Sequence, residues 1–209
     1  MGAIDQEQVW SARYAGVGED YLFGTVPNAF LQDQAVRLTP RLSALSVADG
    51  EGRNSVWLAE EGLTVTAVEI SPVALHKARR LAESRRAEVS FIQADLMQWD
   101  WPMAAYDVVV AIFIQFVGPA ERAILFSRLK QALKPGGLLL MQGYTPKQLE
   151  YGTGGPSVVE NLYTEALLRE SFKDFEILEL RSHETVIEEG CAHRGMSALI
   201  DLVARKLLR

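Results

Sequence analysis

Ala48-Asp-Gly-Glu-Gly-Arg-Asn54 is the most informative stretch of this 209-residue chain. It follows a short apolar run, Ala44-Leu-Ser-Val47, and precedes a segment with helical character, Ser55-Val-Trp-Leu-Ala59. Glycines at positions 50 and 52 allow a tight turn and a close approach of the backbone to a ligand, and the start of a helix favours negative charge. The stretch therefore predicts a strand–turn–helix unit with a ligand site at the turn.

Strand-like and helix-like segments alternate on the C-terminal side of this unit. Two helices are indicated by apolar residues spaced i, i+4, i+7 and i+8 from Ala74 and from Leu125, and Lys134-Pro-Gly-Gly137 ends the second. Such alternation predicts a doubly wound parallel sheet with helices on both faces. The predicted strands are Ala44–Val47, Thr64–Ile70, Val89–Ala94, Val108–Phe113 and Leu138–Met141.

The C-terminal part has a different pattern. Phe175–Leu180 and Ser197–Val203 are strand-like runs joined by a polar segment without a helix. A connection that lacks a crossover helix indicates antiparallel pairing at one end of the sheet. We expect a single domain, with residues 1–40 as a segment that covers the ligand site and residues 41–209 as the core.

Composition restricts the class of partner. The chain has 27 acidic and 21 basic residues, a formal net charge of -6, which disfavours a nucleic-acid backbone as the main partner. The longest uncharged stretch, residues 108–120, is too short for a membrane helix, and the N-terminus lacks the features of a signal peptide. Cys191 is the single cysteine, and no zinc-type cluster is present in the sequence. We therefore expect a cytoplasmic protein without a metal site.

Glu69 ends the second predicted strand, 19 positions after Gly50. An acid about 20 residues beyond a glycine turn can accept hydrogen bonds from both hydroxyls of a ribose. This spacing predicts a nucleoside-containing cofactor. Asp49 and Glu51 would crowd negative charge around the pyrophosphate of NAD, whereas S-adenosylmethionine (SAM) carries cationic groups and no phosphate. The acidic turn favours SAM over NAD(P).

These motifs together resemble a class I SAM-dependent methyltransferase. The resemblance is carried in order by five motifs and covers essentially the whole chain. Within the class, the chain is similar to small bacterial methyltransferases of the tellurite-resistance, TehB-like subgroup. It implies a Rossmann-like three-layer αβα sandwich, with a mostly parallel seven-stranded sheet and an antiparallel last strand. The five motifs are Ala48–Asn54, Val65–Ser71, Ala94-Asp-Leu96, Tyr106–Val110 and Leu133–Gly137.

The resemblance also implies roles for individual residues. Ala48, Asp49 and Gly50 would line the methionine moiety through their backbone, and Ile70 would pack on the adenine beside Glu69. Ser46 and Ala48 depart from the usual acid and glycine of the family; an alanine fits the turn if its φ is negative. The remaining implied contacts are Asp95 with the adenine amino group, the Leu96 N–H with the adenine ring, and the Ala111 backbone with the methionine ammonium.

Candidates for acceptor binding and catalysis lie outside the five motifs. His193 and Arg194 precede the last predicted strand, in a region that adjoins the acceptor pocket of the resembled family; His193 is a candidate base and Arg194 a candidate anion contact. Gln115 follows the fourth strand, where it would contact an acceptor or only cap the strand. Arg13 and Tyr14 lie in the N-terminal segment and would close over the cofactor.

The sequence thus predicts a SAM-dependent methyltransferase with a small-molecule acceptor. A thiol or a chalcogen oxyanion is suggested by the subgroup alone. Two alternatives stay open: an NAD(P)-linked oxidoreductase, and a SAM-binding protein without turnover.

Overall fold

The computed structural model describes residues 5–208, so residues 1–4 of the predicted covering segment and Arg209 lie outside the described part. Seven strands alternate with helices along most of the chain. The strands are β1 (Ser43–Val47), β2 (Thr64–Glu69), β3 (Val89–Gln93), β4 (Tyr106–Ile112), β5 (Leu133–Tyr144), β6 (Phe175–Glu189) and β7 (His193–Lys206). The helices are α1 (Gln6–Ala15), α2 (Ala29–Asp33), α3 (Arg53–Glu60), α4 (Pro72–Arg85), α5 (Pro119–Ala132), α6 (Gln148–Tyr151) and α7 (Glu165–Ser171).

The strands form one sheet in the order β3-β2-β1-β4-β5-β7-β6. All neighbours from β3 to β5 pair in parallel, and β7 is antiparallel to both β5 and β6. The strand order reverses between β1 and β4, where an open α/β sheet forms a crevice at the carboxyl ends of its strands. The predicted seven-stranded, mostly parallel sheet with an antiparallel last strand is confirmed.

Both faces of the sheet are covered, as the continuous apolar runs require. Along β4, Val109 and Ala111 belong to a core cluster with residues of α5 and α7. Val108 and Val110 alternate with them and belong to a second cluster with residues of α2 and α3. Successive side chains of a strand point to opposite faces, so the two clusters are the two helix–sheet layers of a three-layer sandwich.

The last two strands extend well beyond their apolar runs. β6 has 15 residues and β7 has 14, whereas β5 pairs with β7 only over Leu199–Arg205. Residues 193–198 of β7 pair with β6 alone, so the hairpin forms a two-stranded arm past the sheet. The arm was missed because residues 181–189 are mainly polar. At its tip, the Cys191 N–H donates to the Leu22 carbonyl at 3.1 Å, which holds Glu189 and His193 against the N-terminal segment.

Candidate functional site

The parallel strands bring the predicted cofactor residues to one edge of the sheet. Because β1 to β4 are adjacent and parallel, their carboxyl ends meet there. The residues that follow these ends are Ala48, Asp49 and Gly50 after β1, Ile70 after β2, and Asp95 and Leu96 after β3; Glu69 and Ala111 lie at or near the ends of β2 and β4. The sequence and the sheet topology therefore point to the same edge.

The turn after β1 has an unusual backbone. Ala48, Gly50 and Gly52 all have positive φ, at 47°, 63° and 90°. The condition under which an alanine would fit this turn without strain, a negative φ, is not met at Ala48. A Cβ on Gly52 would lie 2.8 Å from the Ala78 Cβ, so this glycine allows α3 to pack closely on α4.

Replacing Ala48 by glycine should stabilise the fold. A left-handed backbone costs a non-glycine residue roughly 1–2 kcal/mol, while glycine adds back about 0.4–1 kcal/mol of unfolded-state entropy. We expect Ala48→Gly to raise the free energy of unfolding in urea by about 0.5 kcal/mol and to bind S-adenosylhomocysteine (SAH) at least as tightly. Ala123→Gly, at an exposed helical position of α5, is the matched control and should lose about 1 kcal/mol. A loss of stability in Ala48→Gly would show that the turn is unstrained.

Glu69 is buried directly beneath this turn, with 3% of its surface exposed. Its carboxylate accepts from the Gly50 N–H at 3.0 Å and from the Ser71 N–H at 2.8 Å. Burial raises the pKa of Glu69, the two backbone donors oppose that rise, and the charge of Asp49 adds to it. Glu69, the predicted contact of the ribose, therefore lies at the turn, and the backbone orients both oxygens of its carboxylate.

Two further carboxylates lie at the turn. Asp49 is buried and accepts from the Ser46 hydroxyl at 2.6 Å and from the Ser55 backbone and hydroxyl, so its side chain caps the start of α3. Glu51 is buried against Lys77, 3.1 Å away. Burial raises the pKa of both carboxyls. Ser46, at the position where the resembled family has an acid, thus donates its hydroxyl to Asp49.

The N-terminal segment covers the turn, and Lys77 holds it there. The Lys77 ammonium donates to the carbonyls of Tyr14 and Asp20, both at 2.7 Å, as well as to Glu51. Tyr14 is buried, and a Cβ on Gly50 would lie 2.8 Å from its hydroxyl. Burial raises the pKa of Tyr14, and the charges of Glu69 and Glu51 raise it further. Arg13 is exposed, with its guanidinium 4.5 Å from the Trp10 ring centroid.

Asp95 and Leu96 are engaged in the turn after β3. The Asp95 carboxylate accepts from the Met97 N–H at 2.8 Å and from the Gln98 amide at 2.9 Å, as a turn-initiating aspartate does. The Leu96 carbonyl accepts from Trp101 and Arg128. Within residues 5–208, the Leu96 N–H donates no hydrogen bond to a side chain. The adenine contacts of both residues stay predictions.

The catalytic candidates occupy different environments. His193 is buried at the tip of the hairpin arm, in contact with Phe23 and Phe113, at ring-centroid distances of 4.5 and 4.8 Å. Arg194 is exposed. The Gln115 amide donates to the carbonyls of Tyr144 and Asn161 and accepts from the Tyr144 N–H at 2.6 Å. Its groups are used in joining β4 to β5, which matches the strand-capping alternative, so we leave Gln115 out of the proposed acceptor contacts.

Three residues at the site, Glu189, Tyr144 and Phe113, were not predicted from the sequence. Glu189 pairs with Arg53 at 2.8 Å, which supplies the partner that a cation in the first turn of a helix requires. Tyr144 ends β5 and stacks on Phe113 at 4.6 Å. The sequence signal for Tyr144 and Phe113 was their position at or directly after the end of a strand; Glu189 had none, because it is 136 positions from Arg53.

Two further observations concern metal ligands and membrane helices. Between residues 5 and 208, no three His, Cys, Asp or Glu side chains are grouped as a metal ion would need. Over the same residues, no helix has the length and apolarity to cross a membrane.

Comparison with known proteins gives a match in the centre of the chain. Residues 44–137 match the family model of a methyltransferase domain. The demethylmenaquinone methyltransferase of Thermus thermophilus is 33% identical over 116 residues, which are 54% of this chain and 52% of the relative. The carboxy-S-adenosyl-L-methionine synthase of Photorhabdus laumondii is 33% identical over 86 residues, 40% of this chain and 34% of the relative. The chain thus matches about half of the length of the first relative and about a third of the length of the second.

A solved structure extends the likeness to nearly the whole fold. TehB from Haemophilus influenzae superposes with a TM-score of 0.72 at 18% identity, over 94% of this chain and 67% of that one. At this identity the likeness concerns the fold alone. The family match and this superposition agree with the methyltransferase fold that the sequence motifs predict.

Proposed function

We propose that the protein transfers a methyl group from SAM to a small-molecule acceptor, starting from the match of residues 44–137 to the family model of a methyltransferase domain. The proposal extends the family match to the whole chain.

The observation that carries the proposal is the excess of buried carboxylate at the turn. Asp49, Glu51 and Glu69 are each less than a tenth exposed. Lys77 pairs with Glu51, and Arg53 is bound to Glu189, so Asp49 and Glu69 have no cation of their own among the described ion pairs. A cavity with unbalanced negative charge attracts a cationic ligand. The sulfonium and ammonium groups of SAM supply that charge.

The same arrangement disfavours the NAD(P) alternative. A pyrophosphate binds where backbone N–H groups at a helix start are free to donate to it. Here the Gly50 N–H donates to Glu69 and the Ser55 N–H to Asp49. Placing two phosphate charges beside two buried carboxylates would be strongly repulsive.

The proposed cofactor contacts follow the strand ends. Glu69 would hold the ribose hydroxyls, with Ile70 on the adenine. Tyr14 would close the site from above, with its aromatic face towards a cation. The remaining proposed contacts are Arg13, the Ala48–Gly50 backbone, Asp95 and Leu96 for the adenine, and the Ala111 backbone for the ammonium.

Bound SAM would supply an activated methyl group on a good leaving group. The chain's own contribution is then to orient the acceptor in line with that methyl group and to exclude water, which together account for much of the acceleration in such displacements. A protein base is required only if the acceptor arrives protonated. His193 and Arg194 are the proposed acceptor-side residues.

SAM binding without turnover is the second candidate, and the strained Ala48 is the observation that favours it. Calorimetric titration with SAH, and with NAD and NADP in parallel, tests the proposal. We expect SAH to bind in the micromolar range and the dinucleotides to be silent. Dinucleotide binding that is tighter than SAH binding would support the oxidoreductase, and no SAH binding would contradict the proposal.

A further inference from the structure

Two buried polar atoms beside the site have no hydrogen-bond partner. Within residues 5–208, these are the Tyr144 hydroxyl and Nδ1 of His193, on side chains that are 1% and 8% exposed. Native proteins leave few such groups unpaired, because an unmade hydrogen bond in the interior is costly. Gly154 and Gly155 lie over both side chains: a Cβ on Gly154 would be 3.3 Å from the His193 ring, and one on Gly155 would be 2.7 Å from the Tyr144 ring. A glycine loop therefore covers both side chains; Nδ1 of His193 has only the Glu189 carboxylate near it, at 3.6 Å, and the Tyr144 hydroxyl is the group that a ligand could complete.

The surroundings of the pair are aromatic and adjoin the cofactor edge. Phe113 contacts both His193 and Tyr144 and follows β4 two residues after Ala111. Phe23 contacts His193 on one side and Tyr14 on the other, with ring centroids 4.5 and 6.1 Å apart. Apolar walls of this kind accept an apolar molecule and strengthen any hydrogen bond formed inside them.

Glu189 lies next to the imidazole of His193, on its Nδ1 side. The Glu189 carboxylate lies 3.6 Å from Nδ1 of His193, which is too long for a hydrogen bond but close enough to orient the ring. Arg53 donates to one oxygen of Glu189 at 2.8 Å, and the Asn28 amide donates to the other at 2.9 Å. With Nδ1 turned to Glu189, Nε2 is the nitrogen left for a ligand. A carboxylate behind an imidazole favours the tautomer that can accept a proton at the opposite nitrogen.

Charged groups from several elements face this histidine. Burial lowers the pKa of His193, Glu189 of β6 raises it, and Arg53 of α3 and Arg13 of α1 lower it again, with a net decrease. The imidazole is therefore neutral at neutral pH and free to accept a proton. Burial raises the pKa of Glu189, but the neighbouring His193 and Arg53 outweigh it and lower this pKa to about 2. Glu189 stays ionised throughout the working range.

We propose that Glu189 positions His193 as the general base for an apolar acceptor with a weakly acidic hydroxyl group, of which a phenol is the simplest case, and that the Tyr144 hydroxyl donates to the same acceptor oxygen. This inference rests on the proposed function. In the transfer, the acceptor oxygen forms a bond to the methyl carbon, and the carbon–sulfur bond breaks with its electron pair kept by sulfur. The hydroxyl proton passes to Nε2 of His193. Glu189 is a positioning residue because it acts only through the histidine.

The arrangement disfavours a chalcogen oxyanion as acceptor. Such an anion arrives ionised and hydrated, so it needs free cations and no base. The nearest buried cation, Arg53, is already bound to Glu189, and the walls are Phe23, Phe113 and Tyr144. A neutral acceptor, which does not bring an ion out of water, fits these side chains better.

The first experiment uses 4-nitrophenol, whose phenolate absorbs visible light. Added to the SAH-saturated protein at fixed pH, it should bind with a higher phenolate fraction than in buffer. His193→Gln should abolish this excess, and Tyr144→Phe should weaken binding about three- to tenfold while leaving the urea midpoint unchanged or raised, since it removes an unpaired buried hydroxyl. Glu188→Gln, on the exposed neighbour of Glu189, is the matched control and should match the wild type.

The second experiment follows the His193 ring by NMR across the pH range without any cofactor. Glu189→Gln should lower the pKa of His193 further, because the carboxylate that raises it is gone, whereas Glu188→Gln should leave it unchanged. An equal His193 pKa in Glu189→Gln and the wild type would overturn the positioning role. SAH binding without a phenolate excess, or with the same excess in His193→Gln, would overturn the inference and leave the proposed function intact. Absent SAH binding would contradict the proposed function itself, and the NMR titration would still decide the role of Glu189.

Discussion

Replacing Glu69 by alanine should reduce the affinity for SAH by about a hundredfold. The proposed bonds from two ribose hydroxyls to a carboxylate are worth about 1.5–3 kcal/mol each, and 1.4 kcal/mol corresponds to a tenfold change in affinity. Glu69 also anchors the turn through the Gly50 and Ser71 N–H groups, so some loss of stability should accompany the loss of binding. Calorimetry with SAH and urea unfolding, on the same preparations, separate the two effects.

Two variants sharpen this test. Glu88→Ala removes an exposed acid next to β3 and should bind SAH as the wild type does. Glu69→Gln keeps the shape but not the charge, and should lose about tenfold. Since burial raises the pKa of Glu69, wild-type affinity should decline as the pH falls, starting above the usual range near 4.3, and Glu69→Gln should lack this decline. Unchanged affinity in a folded Glu69→Ala protein would remove Glu69 from the site.

Replacing Lys77 by alanine should lower the free energy of unfolding by about 3–5 kcal/mol. Lys77 and Glu51 form an ion pair whose side chains are 4% and 2% exposed, and removing one partner leaves an uncompensated buried charge. The carbonyls of Tyr14 and Asp20 also lose their donor. Because those carbonyls belong to the segment that covers the turn, we expect faster hydrogen exchange over residues 5–23 as well as a lower urea midpoint.

The controls for Lys77 use its own helix and its own partner. Arg79→Ala removes an exposed cation from α4 and should change stability by less than about 1 kcal/mol. The double variant Lys77→Met with Glu51→Met should recover most of the loss, since no charge is then left buried. A loss below 1 kcal/mol in Lys77→Ala would mean that Glu51 takes up a proton at little cost and that the segment is held by its apolar contacts alone.

The sequence by itself determined the βα alternation, the parallel sheet and the cofactor edge. These features depend on local patterns: apolar runs of strand length, helical spacing from Ala74 and Leu125, and a glycine turn with Glu69 within about 20 residues of it. The sequence left Gln115 open between an acceptor contact and a strand cap, because the position of β5, whose backbone pairs with that amide, is not readable from local patterns. For Ala48 the sequence likewise implied only a condition, a negative φ, and the structure gives this residue a positive one.

Only the tertiary structure brought together the groups beside the cofactor edge. Arg53 and Glu189 are 136 positions apart, and Asn28 and Glu189 are 161 apart. Their contact exists because β6 and β7 continue past the sheet as an arm that returns its tip to the N-terminal segment. No hydrophobic period marks that arm, since residues 181–189 of β6 are mainly polar. Local periodicity encodes which elements form, whereas the position of a polar side chain in a site depends on contacts between elements that are distant in the chain.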